Sequence, residues 1–418
     1  MSFRRALGSA LLSAVLASAL SGCSGTLDSL GSDPSASGKS TTVGHVQGPG
    51  SYPNTFRTLL TKSDSEIANK IKLGFDQLFY GSSPTLVIYN PQGADEAVIY
   101  DALHNDVRSE GIGLAMLITV ELDKKDEFDR LWRFAKNHLL QASGPARGYF
   151  TSYCGEDTAT QCFDVYGMQL FVLSLMFANS RWHSSADMPY ANDALALIDQ
   201  LQNKETNNGG IVMGIGSAFD PDTHLVREEP TLADAGYTTR AALEMPAAYW
   251  YWAQATSNPF WTAAATAART HLVKAADATT GLWPMRSYFD GTPVAGSAGF
   301  TQQGYRTQLN LALDALWGKA GASQPALAGR VLDFFYNQGI DSYGGTFDID
   351  GTPITTKRAQ ALISVNGALA VAAPSYANRT AFVQAVWDQA IPSGDNRYYE
   401  GLLYLMSLLI LSGQLQVY

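Results

Sequence analysis

Residues 104–140 constrain the fold most, because two helices of opposite character follow one another there. Ile112, Leu114, Ala115, Met116, Leu117, Ile118, Val120 and Leu122 are apolar on nearly every side, a pattern that belongs inside a domain. Phe128, Leu131, Trp132, Ala135 and Leu139 then recur at steps of three and four, with Asp126, Glu127, Asp129, Arg130, Arg133 and Lys136 between them. That spacing predicts a surface helix with one buried face. A short polar turn at 123–125 joins the two, so the pair reads as an αα-hairpin with an inner and an outer member. Ser109 is expected to cap the inner helix. Glu110 then stands in its first turn, at the mouth.

Apolar segments keep returning at helical spacing over 64–80, 110–122, 126–141, 165–181, 189–203, 239–255, 258–276, 306–318, 323–337, 357–373, 378–390 and 398–412. About a dozen helices follow from that pattern. Strand signals are few, at 86–89 and 210–212. Helix pairs in this number close into a toroid or stack into an open solenoid, and periodicity does not separate the two. The loops are long and rich in Gly, Asp, Pro and aromatic residues, which is where a helical scaffold carries a site. With 418 residues, 46% hydrophobic and 16% charged, the chain can bury a large core. A net charge of −10 excludes nucleic acid as the natural partner, since phosphate binding wants a basic face.

The first residues read differently. Arg4 and Arg5 precede an apolar run over 6–20, and Leu20-Ser21-Gly22-Cys23 looks like a bacterial lipoprotein cleavage box. Residues 1–22 are therefore expected to be a lipoprotein signal peptide and Cys23 the lipidated residue. Ser24 carries no Asp-type inner-membrane retention signal, so the expected location is the cell envelope, at the outer membrane facing periplasm or exterior. Residues 23–50, rich in Ser and Gly, predict a flexible tether, and 51–418 a single domain. Setting Cys23 aside leaves Cys154 and Cys162, an even pair expected to form a disulfide in an oxidising compartment.

The block Asn105-Asp106-Val107-Arg108-Ser109-Glu110-Gly111 resembles that of the reducing-end xylose-releasing oligoxylanases of glycoside hydrolase family 8. Further blocks carry the resemblance in the same order. They are Gly144-Pro145 with Gly148-Tyr149-Phe150, Phe177-Ala178 with Arg181-Trp182, Phe289-Asp290-Gly291-Thr292-Pro293, and Arg397-Tyr398-Tyr399 with Gly401-Leu402-Leu403-Tyr404 and Ser412-Gly413. The resemblance runs from about residue 60 to the C-terminus. It implies an all-α fold, the (α/α)6 barrel, with long loops at one face. It also implies inverting hydrolysis of a β-linked glycan, with Glu110 as the general acid.

Inversion needs a second carboxylate across the sugar, about 6.5–9.5 Å away, to activate water. In the family this base is the Asp of a YDA-x-R block. Here Arg306 falls on the family Arg and Gln303 on the base, and an amide cannot accept that proton. The family's sugar-gripping Asp-Gly falls on Tyr166-Gly167, with Asp164 two residues earlier. Its TDPSY block is echoed loosely by Ala233-Asp234-Ala235-Gly236-Tyr237. Asp164, Asp234 and Glu244 are the candidates for a relocated base.

Tyr149, Tyr153, Trp283, Tyr288, Tyr305, Tyr398 and Tyr399 fall at helix mouths or in loops, where flat rings can stack on sugar faces. The expected substrate-binding set is Asp164, Tyr166, Tyr149, Tyr153, Tyr305, Arg306, Gln303, Tyr398 and Tyr399. Six His residues lack ligand spacing and no phosphate loop is present, so neither metal nor cofactor is expected. The expected partners are a polysaccharide or oligosaccharide and, through Cys23, a membrane; a monomer is expected. Three functional readings stand side by side. They are an exported hydrolase, a carbohydrate-binding descendant that holds glycan without cutting it, and a helical scaffold that binds protein.

Overall fold

In a computed structural model, the structure describes residues 42–152, 163–207, 211–231 and 237–418. Its helices are α1 (Thr55–Leu60), α2 (Asp64–Tyr80), α3 (Ser109–Glu121), α4 (Lys125–Phe134), α5 (Val165–Trp182), α6 (Tyr190–Asn207) and α7 (Pro246–Thr256). They continue as α8 (Pro259–Lys274), α9 (Tyr305–Leu316), α10 (Gln324–Asn337), α11 (Gln360–Leu369), α12 (Arg379–Asp388) and α13 (Arg397–Ser412). Local chemistry sets many of the bounds. Ser63 and Glu66 form a reciprocal capping box at the start of α2. Asn258 caps α8 with Pro259 behind it, and Gly413, at φ 71°, ends α13 in the left-handed region.

Helices α3, α5, α7, α9, α11 and α13 form an inner ring, in which each packs on the next and α13 returns to α3. Helices α4, α6, α8, α10, α12 and α2 back them from outside. That closure is the (α/α)6 barrel. It solves the problem posed by helices apolar on all sides, since every face of an inner helix meets another helix. In α3 every residue but Glu110 is buried. The outer members bury one face: Trp132 of α4 packs on Phe150 and Phe171 and donates to Asp193 at 2.7 Å. The hairpin α3–α4 stands as the sequence predicts, its turn at 122–124 and Lys125 already in α4.

Several boundaries differ from expectation. The segment 239–255 is not one helix: Thr238–Thr239 is a strand, Ala241–Leu243 a 3-10 turn, and α7 starts at Pro246. Proline fits a first helical position, where no N–H is needed. Helix α4 ends at Phe134 and continues as a π turn, Ala135–Leu139. The first strand begins at Tyr89 rather than residue 86, and Val212 makes one isolated bridge, to Ile215. The expected tether is shorter at its far end. Val46 is buried in the core and Gly44 N–H donates to the Ala255 carbonyl at 2.7 Å, so residues 42–50 lie against the barrel.

Short strands decorate the mouth. Strands β1 (Tyr89–Gln92), β2 (Glu96–Asp101) and β3 (Asp106–Val107) form one antiparallel sheet, with Asp101 opposite Asp106. Strands β4 (Thr238–Thr239) and β5 (Ser287–Tyr288) pair, with Thr238 opposite Tyr288. Strands β6 (Gly299–Phe300), β7 (Thr346–Asp348) and β8 (Pro353–Thr355) make the third sheet. At the opposite end of the ring, residues 414–418 cross the barrel. There the Tyr418 hydroxyl and the Gln416 N–H both donate to Glu121, at 3.0 and 3.2 Å.

Candidate active site

A groove of about 510 Å³ opens at the decorated mouth. Its floor is built from the N-terminal ends of inner helices: Glu110 of α3, Asp164 and Tyr166 of α5, Tyr305 and Arg306 of α9, Tyr398 and Tyr399 of α13. Helix N-termini carry partial positive charge, so carboxylates gathered here are favoured by the scaffold itself.

Glu110 is the one residue of α3 that reaches this space, with 21% of its side chain exposed. Its Oε2 lies 2.9 Å from Nη1 of Arg306, while Oε1 has no hydrogen-bond partner. Burial raises its pKa above the usual carboxylate range; Arg306 opposes that shift and the Asp164 charge adds to it. Burial is the largest of these influences, and the net direction is upward despite Arg306. Arg306 is 7% exposed and lies 4.4 Å over the Tyr166 ring.

Ser109 does not cap α3, because Arg108 takes the N-cap position without a side-chain bond. The Ser109 hydroxyl instead lies 2.8 Å from the Thr151 carbonyl and 2.7 Å from Asp164 Oδ2, two acceptors that share its single proton. Asp164 caps α5 by accepting the Gly167 N–H at 2.9 Å. These two bonds seat Asp164 beside Glu110, although it falls two residues from the family Asp-Gly. Both glycines in these turns are sterically required. A Cβ at Gly167 would sit 2.5 Å from Asp164 Oδ2, and one at Gly111 would sit 2.3 Å from the Tyr398 ring.

The Tyr399 hydroxyl donates to the Gln302 carbonyl at 2.8 Å, and Tyr305 donates to the Gly345 carbonyl at 2.6 Å. Tyr398 is buried against Gly111 and its hydroxyl has no partner. Gln303 lines the groove, exposed, in the 3-10 turn Gln302–Gly304 that leads into α9.

Three expectations are corrected. Tyr149 is buried outside the groove, donating to the Gly216 carbonyl at 2.8 Å, so its ring is core packing. Trp283 is likewise buried and donates to the Leu272 carbonyl at 2.8 Å. Glu244 lies beneath the groove wall, not in it. Its Oε1 accepts from the Val226 N–H and the Thr239 hydroxyl, both at 3.1 Å, which removes it as a water-activating base. Tyr153, Cys154, Cys162, Asp234 and Cys23 lie outside the described residues.

The groove also holds side chains to which the sequence assigned no role. Asp101 receives the Leu103 N–H at 3.0 Å and lies 2.7 Å from Nδ1 of His104, and Arg108 grips Asp106 through Nε and Nη2, each at 2.9 Å. At another wall Glu228 is held by Arg240 and Arg286. Glu400 lines the groove too, and burial raises its pKa. His104, Asp106 and Arg108 fall within residues 104–140. Glu228 had no periodic signal.

Among the described residues, no group of three or more His, Cys, Asp or Glu side chains is arranged to hold a metal ion.

Comparison with known proteins supplies the lineage. Residues 93–413 match the family described as glycosyl hydrolases family 8. A reducing end xylose-releasing exo-oligoxylanase from Halalkalibacterium halodurans is 30% identical over 88% of this chain and 95% of its own length. The corresponding enzyme of Paenibacillus barcinonensis is 29% identical over 90% of this chain and all of its own. A family 8 protein of Teredinibacter turnerae, solved in complex with xylobiose, superposes with a TM-score of 0.82 at 33% identity, covering 88% of this chain and 98% of that one. The matched region runs from the β1–β2 turn to the end of α13, and on that ground the chain belongs to glycosyl hydrolases family 8.

Proposed function

We propose that the protein hydrolyses a β-linked glycan of the xylan or glucan type with inversion, and that Glu110 is the general acid. One observation carries the reading: Glu110 alone on α3 reaches the groove, and burial favours its protonated form despite Arg306. A leaving-group oxygen needs such a proton donor. The relatives named for xylose release from oligoxylans favour a xylan-type chain. Reducing-sugar release from a panel of xylans, β-glucans and chitosan tests the reading. Hydrolysis that falls about 10²–10⁴-fold in Glu110→Gln supports it. Undiminished turnover in that variant removes Glu110 from the mechanism.

Gln303 favours a second reading, a groove that holds glycan without cutting it. On the family pattern the base belongs at that position, and an amide has no proton affinity to activate water. Retained glycan binding with no release of reducing sugar from any member of the panel would decide for it.

We further propose export and lipid anchoring at Cys23, supported by Leu20-Ser21-Gly22-Cys23 behind an apolar run. Cys23→Ala should abolish metabolic labelling with palmitate. Continued labelling would refute the anchor.

A further inference from the structure

Tyr288 is left unexplained by the floor of the groove. It is 44% exposed, on β5, directly opposite Thr238 of β4. Residues opposite one another in an antiparallel pair share a face, and on this face the Thr238 hydroxyl points at Glu228, at 3.4 Å. Arg286, two residues before Tyr288 and so on the same side of the strand, donates through Nε to the Glu228 carboxylate. Arg240 donates to the other oxygen of Glu228 at 2.6 Å. Glu228 and Arg240 both line the groove.

The other face of the ribbon is committed to the interior. Thr239 bonds to buried Glu244 and Ser287 to His271. The ribbon is also stiff at its tip. Tyr288 N–H donates to the Thr292 carbonyl at 2.8 Å, Gly291 N–H returns to the Tyr288 carbonyl at 2.9 Å, and Asp290 accepts the Thr292 N–H at 2.8 Å.

We propose that Tyr288, with Arg240 and Arg286, forms an outlying sugar-binding platform that continues the groove past its Glu228 wall. The proposal rests on reading the groove as a glycan site. An exposed ring offers an apolar face to a pyranose, while the two guanidiniums are fixed by one shared carboxylate and keep outward N–H groups for hydroxyls. Their exposures are 25% and 31%, against 6% for Glu228. A flat apolar surface beside pre-positioned donors is the composition that binds sugar. No carbohydrate unit seated at Glu110 alone needs this platform. Its occupant is a further unit of the same neutral chain, so the protein takes long glycans in preference to short ones.

The test uses the Glu110→Gln protein, which binds without consuming its ligand, and measures affinity for β-1,4-xylo-oligosaccharides of three and six units, with the matching gluco-oligosaccharides in parallel. Six units should bind more tightly than three. Tyr288→Ala in that background should lower the six-to-three affinity ratio about three- to tenfold. Tyr288→Phe, which keeps the ring, should restore it. Tyr336→Ala, an exposed ring of α10 outside the groove, should leave the ratio alone. Equal affinity for both lengths, or a ratio indifferent to Tyr288→Ala, overturns the platform while the glycan site stands. Failure of both oligosaccharide series to bind at any length overturns the glycan reading and the platform with it.

Discussion

Glu110 Oε2 lies 2.9 Å from Nη1 of Arg306, so the chain's one floor carboxylate on α3 faces a guanidinium that is itself buried. The pairing has a consequence for acid catalysis. Arg306 favours the ionised form of Glu110, while burial and Asp164 favour the protonated one, and the balance lies above the usual carboxylate range. A general acid works only while protonated, so activity should be lost as pH rises through the Glu110 pKa.

Arg306→Gln removes the opposing charge and should raise that pKa further. The basic limb of the kcat/KM profile should then move to higher pH. A limb that stays put, or moves down, would show that the guanidinium does not govern Glu110. Should the protein bind without cutting, the same shift can be read by following the Glu110 carboxyl resonance through a pH titration.

Gln303→Asp separates the two functional readings. In a hydrolase whose water is activated from elsewhere, a new carboxylate at the groove edge should change turnover little, and it should draw Arg306 partly away from Glu110. In a groove that has lost its base, the same substitution should create reducing-sugar release where wild type gives none. Binding of the chosen glycan to both proteins is measured first, so that silence on a non-ligand is not counted.

Much of the scaffold was legible because its signal is local. The inner helix Ser109–Glu121 announces itself by being apolar nearly all round, and Asp64–Tyr80 matches the expected 64–80 at both ends, its start fixed by the Ser63–Glu66 capping box. Strands of two residues, such as Asp106–Val107 and Thr238–Thr239, have no room to show a period. Glu110 and its neighbours were found through a contiguous block. Glu228 was not, since its partners stand 12 and 58 residues away in sequence. Tyr149 and Trp283 misled for a related reason: a ring beside a loop looks the same in sequence whether it faces sugar or core.

Gly111→Ala tests the close approach that shapes the floor. The new Cβ would lie 2.3 Å from Tyr398 Cε2 and 2.4 Å from its hydroxyl oxygen, so the buried ring must shift toward the groove it lines. The cost should be about 1–3 kcal/mol, as for other overpacked cores. Chemical denaturation measures it. A second substitution, Tyr398→Leu, should relieve the clash and recover part of the loss; a double variant no more stable than Gly111→Ala would mean the collision lies elsewhere.

Glu244 should make the fold weaken as pH rises. Burial pushes its pKa from 4.5 up to about 8, and Oε2 has no partner, so the folded state holds a proton that the unfolded chain has already released. Below pH 4.5 both states are protonated and the group contributes nothing. Between 4.5 and about 8 the unfolded state binds fewer protons than the folded one, and stability falls with pH by up to about a few kcal/mol before levelling off. Glu244→Gln keeps an acceptor for the Val226 N–H and the Thr239 hydroxyl but carries no titrating proton. Its unfolding free energy, measured by denaturant at a series of pH values, should be flatter across that window than the wild-type curve, with the gap between the two widening toward pH 8. Parallel curves would show that Glu244 is already ionised in the folded wall.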